Sequence, residues 1–77
     1  MPKINLMKQA GKQPLVTVLM TAYNAAPFIE KALISIINQS YQKIEIVVVD
    51  DGSTDETPLI LNRFKKQDNR VRVFRMK

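Results

Sequence analysis

The apolar positions of the chain follow two rhythms that take turns. From Leu15 to Thr21 the run LVTVLMT is apolar or β-branched at odd and even positions alike. A strand turns successive side chains to opposite faces, so such a run predicts a strand covered on both faces, as in a parallel sheet. Asn24 then stands where it would cap a helix, and Pro27 falls in the first turn, where a missing N–H costs nothing. Phe28, Ile29, Ala32, Leu33, Ile36 and Ile37 recur at three- and four-residue spacing, with Glu30, Lys31, Ser35 and Asn38 between them. That period predicts an amphipathic helix over about 25–39.

The strand character returns at Ile44 to Asp50, IEIVVVD, and gives way to the polar run Asp50 to Thr57. Ser53 and Glu56 match the S-x-x-E capping box, and Pro58 sits in the first turn of a second helix, carrying Leu59, Ile60, Leu61 and Phe64 over about 56–67. Val71 to Arg75 reads as a third, short strand. Residues 1–13 lack a sustained period and read as an N-terminal tail, leaving 14–77 as the folded domain. The order strand, helix, strand, helix, strand predicts an α/β, Rossmann-like βαβαβ fold: right-handed crossovers joining parallel strands at about 15–21, 44–50 and 71–75 in a three-layer arrangement. The first strand is expected at the centre, because it reads as doubly covered. Two crossovers wound in one direction would instead put the second strand there.

Composition narrows the chemistry. Seventy-seven residues make at most one small domain, and 45% hydrophobic with 25% charged residues is too apolar for intrinsic disorder. There is no cysteine and no histidine, which excludes disulfides, thiolate or imidazole metal sites and histidine base catalysis. Carboxylates, hydroxyls, amides and amines remain. No apolar run approaches the roughly 20 residues that span a bilayer, and the opening residues lack the apolar core of a secretory signal. A cytoplasmic protein is expected, with the cytoplasmic face of a membrane as a second location.

The net charge of +5 is unevenly spread. Residues 15–60 hold two basic against six acidic residues, whereas 61–77 hold seven basic against one acidic. Arg63, Lys65, Lys66, Arg70, Arg72 and Arg75 straddle a helix and a strand rather than lining one recognition element, so nucleic acid is not an expected partner.

The candidate chemistry lies at the predicted carboxyl ends of the first two strands, where open α/β sheets bind ligands. In VVVDDGSTDET, Val47 to Thr57, Asp50 and Asp51 are adjacent carboxylates at a strand terminus, an arrangement that repels itself unless a hydrogen-bond donor or a cation relieves it. A turn alone explains Gly52 and Ser53 better than it explains both aspartates. Thr21 to Asn24 places an aromatic ring, Tyr23, on the neighbouring loop. Packing alone would explain the ring. Paired with a carboxylate it fits a nucleobase: Tyr23 offers a stacking face, and Asp51 accepts the imide N–H that uracil presents.

Taken together, VTVLMTAYN and INQSYQKIEIVVVDDGSTDET resemble the start of family 2 glycosyltransferases, which open on a V-S-V-I-x-P-x-Y-N strand and reach V-D-D-G-S-x-D at this spacing. The resemblance covers about residues 14–77. It implies the N-terminal half of a GT-A fold and the sugar-nucleotide-binding portion of an inverting, hexosyltransferase-type enzyme of polysaccharide or glycoconjugate synthesis. By position it implies that Thr21 and Tyr23 contact the base, Asp51 hydrogen-bonds the uracil ring, Asp50 supports that loop, and Asn24 shapes the first loop and caps its helix. Ala22 departs from the family, which often has proline there. The implied partners are a nucleotide-sugar donor, UDP-linked, and a sugar or lipid-linked acceptor, with a membrane surface as a further one.

The family's D-x-D motif, which holds a divalent cation (Mg or Mn) on the diphosphate, and its carboxylate base lie beyond the third strand. The chain is therefore expected to contain no catalytic residue and no metal ligand, and to be inactive alone. Two other readings compete. A phosphoacceptor receiver domain also places paired aspartates at a strand end, but after its first strand. A non-catalytic nucleotide-binding or scaffold module would use the same fold.

Overall fold

The computed structural model describes residues 3–8 and 14–76, with side chains from Pro14 onward. Six elements run in order: β1, Lys3–Lys8; β2, Val16–Ala22; α1, Ala26–Asn38; β3, Ile44–Asp51; α2, Thr57–Gln67; and β4, Val71–Met76. They form one sheet in the order β1-β2-β3-β4. β2, β3 and β4 are mutually parallel, as the βαβαβ pattern requires, while β1 lies antiparallel to β2.

Burial alternates along the central strand: Ile44, Ile46, Val48 and Asp50 are buried, whereas Glu45, Val47 and Val49 are half-buried. The buried set joins Val18, Met20 and Ala22 of β2, Val71 of β4, Ala25, Ile29 and Leu33 around α1, and Leu61 and Phe64 of α2 in one core. Both helices thus cover the same face of the sheet. The described residues supply two layers, and the other face carries Leu19, Val47, Val49 and the exposed Phe74 and Met76. On that face Thr17 and Glu45 stand opposite each other, and the Thr17 hydroxyl donates to Glu45 Oε1 at 2.6 Å.

Three expectations are corrected. The strand at Ile44–Asp51, not the one at Val16–Ala22, is the middle of the three parallel strands. β2 is apolar on both parities without being covered on both faces, and two crossovers stepping in the same direction carry the chain from β2 past β3 to β4. Residues 1–13 are not all tail, since Lys3–Lys8 pairs with β2, setting Ile4 opposite Met20 and Leu6 opposite Val18. An unpaired β2 edge would leave a row of backbone donors and acceptors unmet. Positions 9–13 of that segment lie outside the described residues. Asn24 does not cap α1: the helix starts after Ala25 without a side-chain cap from that residue, for a reason that lies in the neighbouring loop.

Candidate functional site

The carboxyl ends of β2 and β3 are held in register by the pairs Thr21↔Val49 and Ala22↔Asp50. Tyr23 and Asp51 each follow the last of these pairs on adjacent strands, whose spacing is about 4.8 Å. Tyr23 is 58% exposed, so the ring is not packed into the core. Thr21 and Asp51 are exposed too. Of the residues singled out from sequence, these three and Asn24 are exposed at one end of the sheet, whereas Asp50 is buried. Asn24 and Asp50 do different work.

Asn24 has a left-handed backbone, φ 45°, a conformation asparagine tolerates better than most residues with a Cβ. Its side chain reaches across to the second loop, where Oδ1 accepts from the Thr54 N–H at 2.8 Å and the Asp55 N–H at 3.3 Å. Asn24 N–H in turn donates to Ser53 Oγ at 2.9 Å. The N-terminal donors of α1 are met from the same loop: Ala25 N–H donates to Thr57 Oγ1 at 3.0 Å and Ala26 N–H to Asp55 Oδ2 at 3.2 Å. The first donors of α1 are therefore met by two residues about thirty positions away in sequence, which no local pattern announces.

The capping box at Ser53 and Glu56 is corrected in the same way. α2 begins at Thr57 after Glu56, with no side-chain bond from the cap residue, and it is Asp55 Oδ1 that accepts the Thr57 N–H at 2.8 Å. One carboxylate thus serves the first donors of both helices, where the partial positive ends of their dipoles favour it. Hydrogen bonding from Thr57, supplemented by backbone N–H groups, holds the Asp55 carboxyl below its ordinary value of 3.8. A depressed carboxyl contributes its linkage above the unfolded value and loses it as pH falls through the folded one. We expect the Ala26 and Thr57 amide resonances to move together in an acid titration, with a midpoint below 3.8. Independent midpoints would show that Asp55 does not join the two loops.

Asp50 is 1% exposed. Its Oδ1 accepts the Ser53 N–H at 3.0 Å, closing a tight turn over Gly52, whose φ of 74° favours a residue without a Cβ. Its Oδ2 is buried without a hydrogen bond and lies 3.5 Å from Arg75 Nη1. Both oxygens face inward, to a backbone donor and an arginine. This is a poor donor set for a divalent cation, and among the described residues no group of three or more carboxylates is gathered to hold one.

The sequence signals for Ser53, Asp55, Thr57 and Arg75 were weaker. Ser53, Thr54, Asp55 and Thr57 supply more oxygen-bearing side chains than a single helix cap uses, which is the one local hint that they serve a second element. Three of the four C-terminal arginines are paired with carboxylates of this chain: Arg63 pairs with Glu30, Arg70 Nη2 meets Asp68 Oδ2 at 2.8 Å, and Arg75 reaches Asp50. Among the described residues no helix is long and apolar enough to cross a membrane.

The parallel strands β2 and β3 thus end in an exposed tyrosine and an exposed aspartate on loops bonded to each other, at the sheet end where open α/β folds of the Rossmann-like type commonly take ligands. The family model described as Glycosyl transferase family 2 matches residues 17–77. The chain is 43% identical over 61 residues to an uncharacterized glycosyltransferase of Haemophilus influenzae, covering 79% of this chain and 24% of that protein. It is 46% identical over 59 residues to glycosyltransferase GlyG of Streptococcus pneumoniae, covering 77% of this chain and 20% of the relative. It is also 43% identical over 61 residues to the putative teichuronic acid biosynthesis glycosyltransferase TuaG of Bacillus subtilis, covering 79% and 24%. The chain belongs to glycosyl transferase family 2, and its fold is that of the N-terminal part of a GT-A domain. The aligned segment spans about a fifth to a quarter of the length of these relatives.

Proposed function

We propose that residues 14–77 bind the base of a nucleotide-sugar donor, a UDP-sugar, for an inverting glycosyl transfer in polysaccharide or glycoconjugate synthesis. The observation that carries this reading is the exposure of Tyr23 and Asp51 at adjacent strand ends, on loops bound through Asn24 and Ser53. The ring stacks on the base, Asp51 accepts the imide N–H of uracil, and Thr21 lines the same edge. Asn24 and Asp50 hold the two loops and touch no ligand. The similarity to TuaG, a putative teichuronic acid biosynthesis glycosyltransferase, supports a role in polysaccharide synthesis, for which the proposed acceptor is a sugar or a lipid-linked sugar.

In this reading the magnesium or manganese ion on the diphosphate and the base that deprotonates the acceptor are held by residues other than those described. The 77-residue chain therefore transfers no sugar, with or without manganese. Turnover well above background from protein free of any longer enzyme would refute that.

UDP should bind with a dissociation constant on the order of millimolar. Stacking contributes about 1–3 kcal/mol and a hydrogen bond to a charged group about 1.5–3, and a millimolar constant corresponds to about 4. A UDP titration followed by amide chemical shifts should perturb Thr21, Tyr23 and Asp51 most, and Tyr23→Ala should weaken UDP and CDP alike. Shifts centred on Arg63 to Met76, equal for both nucleotides, would mean that phosphate attraction drives binding and would sink the assignment.

A further inference from the structure

We propose that Arg75 is a positioning residue for base recognition: from the neighbouring strand it clamps the turn that carries Asp51. The inference rests on the base-binding reading above for its ligand, but its structural half stands on geometry alone.

Arg75 pairs in register with Asp50 across β3 and β4. It lies on the same parity as Val71 and Val73, which pack against the core, so by position it points to the helix-covered face at the end where ligands bind. Its guanidinium uses two arms. Nη1 stands 3.5 Å from the buried Asp50 Oδ2, and Nη2 donates to the Ser53 carbonyl at 2.8 Å. Asp50 Oδ1 holds the N–H of the same residue at 3.0 Å. Ser53 is therefore gripped on its N–H by Asp50, on its carbonyl by Arg75 and on its hydroxyl by the Asn24 N–H.

Asp51 and Gly52 lie inside this grip, and among the described residues no hydrogen bond or ion pair fixes the Asp51 side chain itself. Its direction follows from the turn, and the turn is closed by Asp50 and Arg75. Arginine suits the place because its planar fork serves a carboxylate and a carbonyl at once, whereas an ammonium on a flexible stem is a single point charge. Without the clamp the Asp50 Oδ2 would be a buried oxygen with no cation beside it, which favours rearrangement of the turn.

The test compares wild type, Arg75→Ala, Arg75→Lys and Arg72→Ala. Arg72 removes the same charge from the same strand but lies on the opposite face. Without ligand, amide exchange at Ser53 should speed up roughly tenfold or more in Arg75→Ala, less in Arg75→Lys, and not in Arg72→Ala. With UDP and CDP, the wild-type preference for UDP should be about tenfold, the ratio expected for a contact worth about 1.4 kcal/mol. It should fall to within about threefold of unity in Arg75→Ala, with Arg75→Lys between the two and Arg72→Ala as wild type. If Arg75→Ala does not fold, Arg75→Lys carries the same comparison.

Unchanged Ser53 exchange in a folded Arg75 variant would overturn the clamp. Loosened Ser53 with an undiminished UDP preference would overturn its role in recognition. A wild type that fails to distinguish UDP from CDP while Ser53 still depends on Arg75 would overturn the base-recognition reading, and with it this use of the clamp.

Discussion

Ile46→Ala is expected to leave the chain largely unfolded at room temperature, whereas Val47→Ala, one residue along the same strand, leaves it folded. Ile46 is fully buried on the helix-covered face of the middle parallel strand. Truncating such a residue costs about 2–5 kcal/mol in lost transfer and cavity formation. A single core in a chain below 80 residues rarely supplies more than about 3–5 kcal/mol in all, so the loss is comparable to the whole stability. Val47 is half-buried on the open face, where removing two carbons should cost about 1 kcal/mol or less. Circular-dichroism melts separate the cases. Equal destabilisation would mean that something covers the open face in solution.

Thr57→Val should destabilise the chain by about 1–3 kcal/mol although it changes the side-chain shape very little. Thr57 is fully buried, and its hydroxyl accepts the Ala25 N–H at the head of α1. Valine fills the same space and leaves that buried donor orphaned, which is the costly case for a hydrogen bond. Thr57→Ser keeps the acceptor and should recover part of the loss. Denaturant unfolding measures both. A neutral Thr57→Val, with slow exchange retained at Ala25, would show that this contact does not fasten the two loops.

How far the sequence speaks depends on the distance over which its signals act. The two helices and three parallel strands were legible because their periods are local: Ile29 and Leu33 lie one turn apart on one helix face, and the apolar runs around Val18 and Ile46 have strand length. Strand order was not, because the apolar residues Leu19 and Val47 look the same whether a layer covers them or not. β1 was missed because Ile4 and Leu6 alternate with Lys3 and Asn5 but Met7 breaks the period, and the segment holds a single β-branched residue. Tyr23 and Asp51 stand out in the sequence as polar or aromatic where a strand should simply end, and the structure leaves both exposed there. Asn24 reads as a local cap and Ser53 with Glu56 as a capping box, because the helix rules describe a residue's own turn, and Asp55 is given no role at all. The side chains of Asn24, Ser53 and Asp55 bond a loop about thirty positions away. Arg75 was counted only as part of a basic segment, and nothing in its neighbours in sequence links it to Asp50.

The measurement that bears most directly on the reading of this edge as a uracil site is the ratio of CDP to UDP dissociation constants for wild type and Asp51→Asn, read from shifts at Tyr23. Asparagine keeps one acceptor oxygen and replaces the other with a donor amide, so it can accept the imide N–H of uracil or donate to the unprotonated ring nitrogen of cytosine and loses the acceptor-only character that discriminates the two. The account predicts a wild-type preference for UDP of about tenfold that vanishes or inverts in Asp51→Asn, with the folded spectrum retained. A preference that is absent in wild type, or unchanged by the substitution, would contradict it.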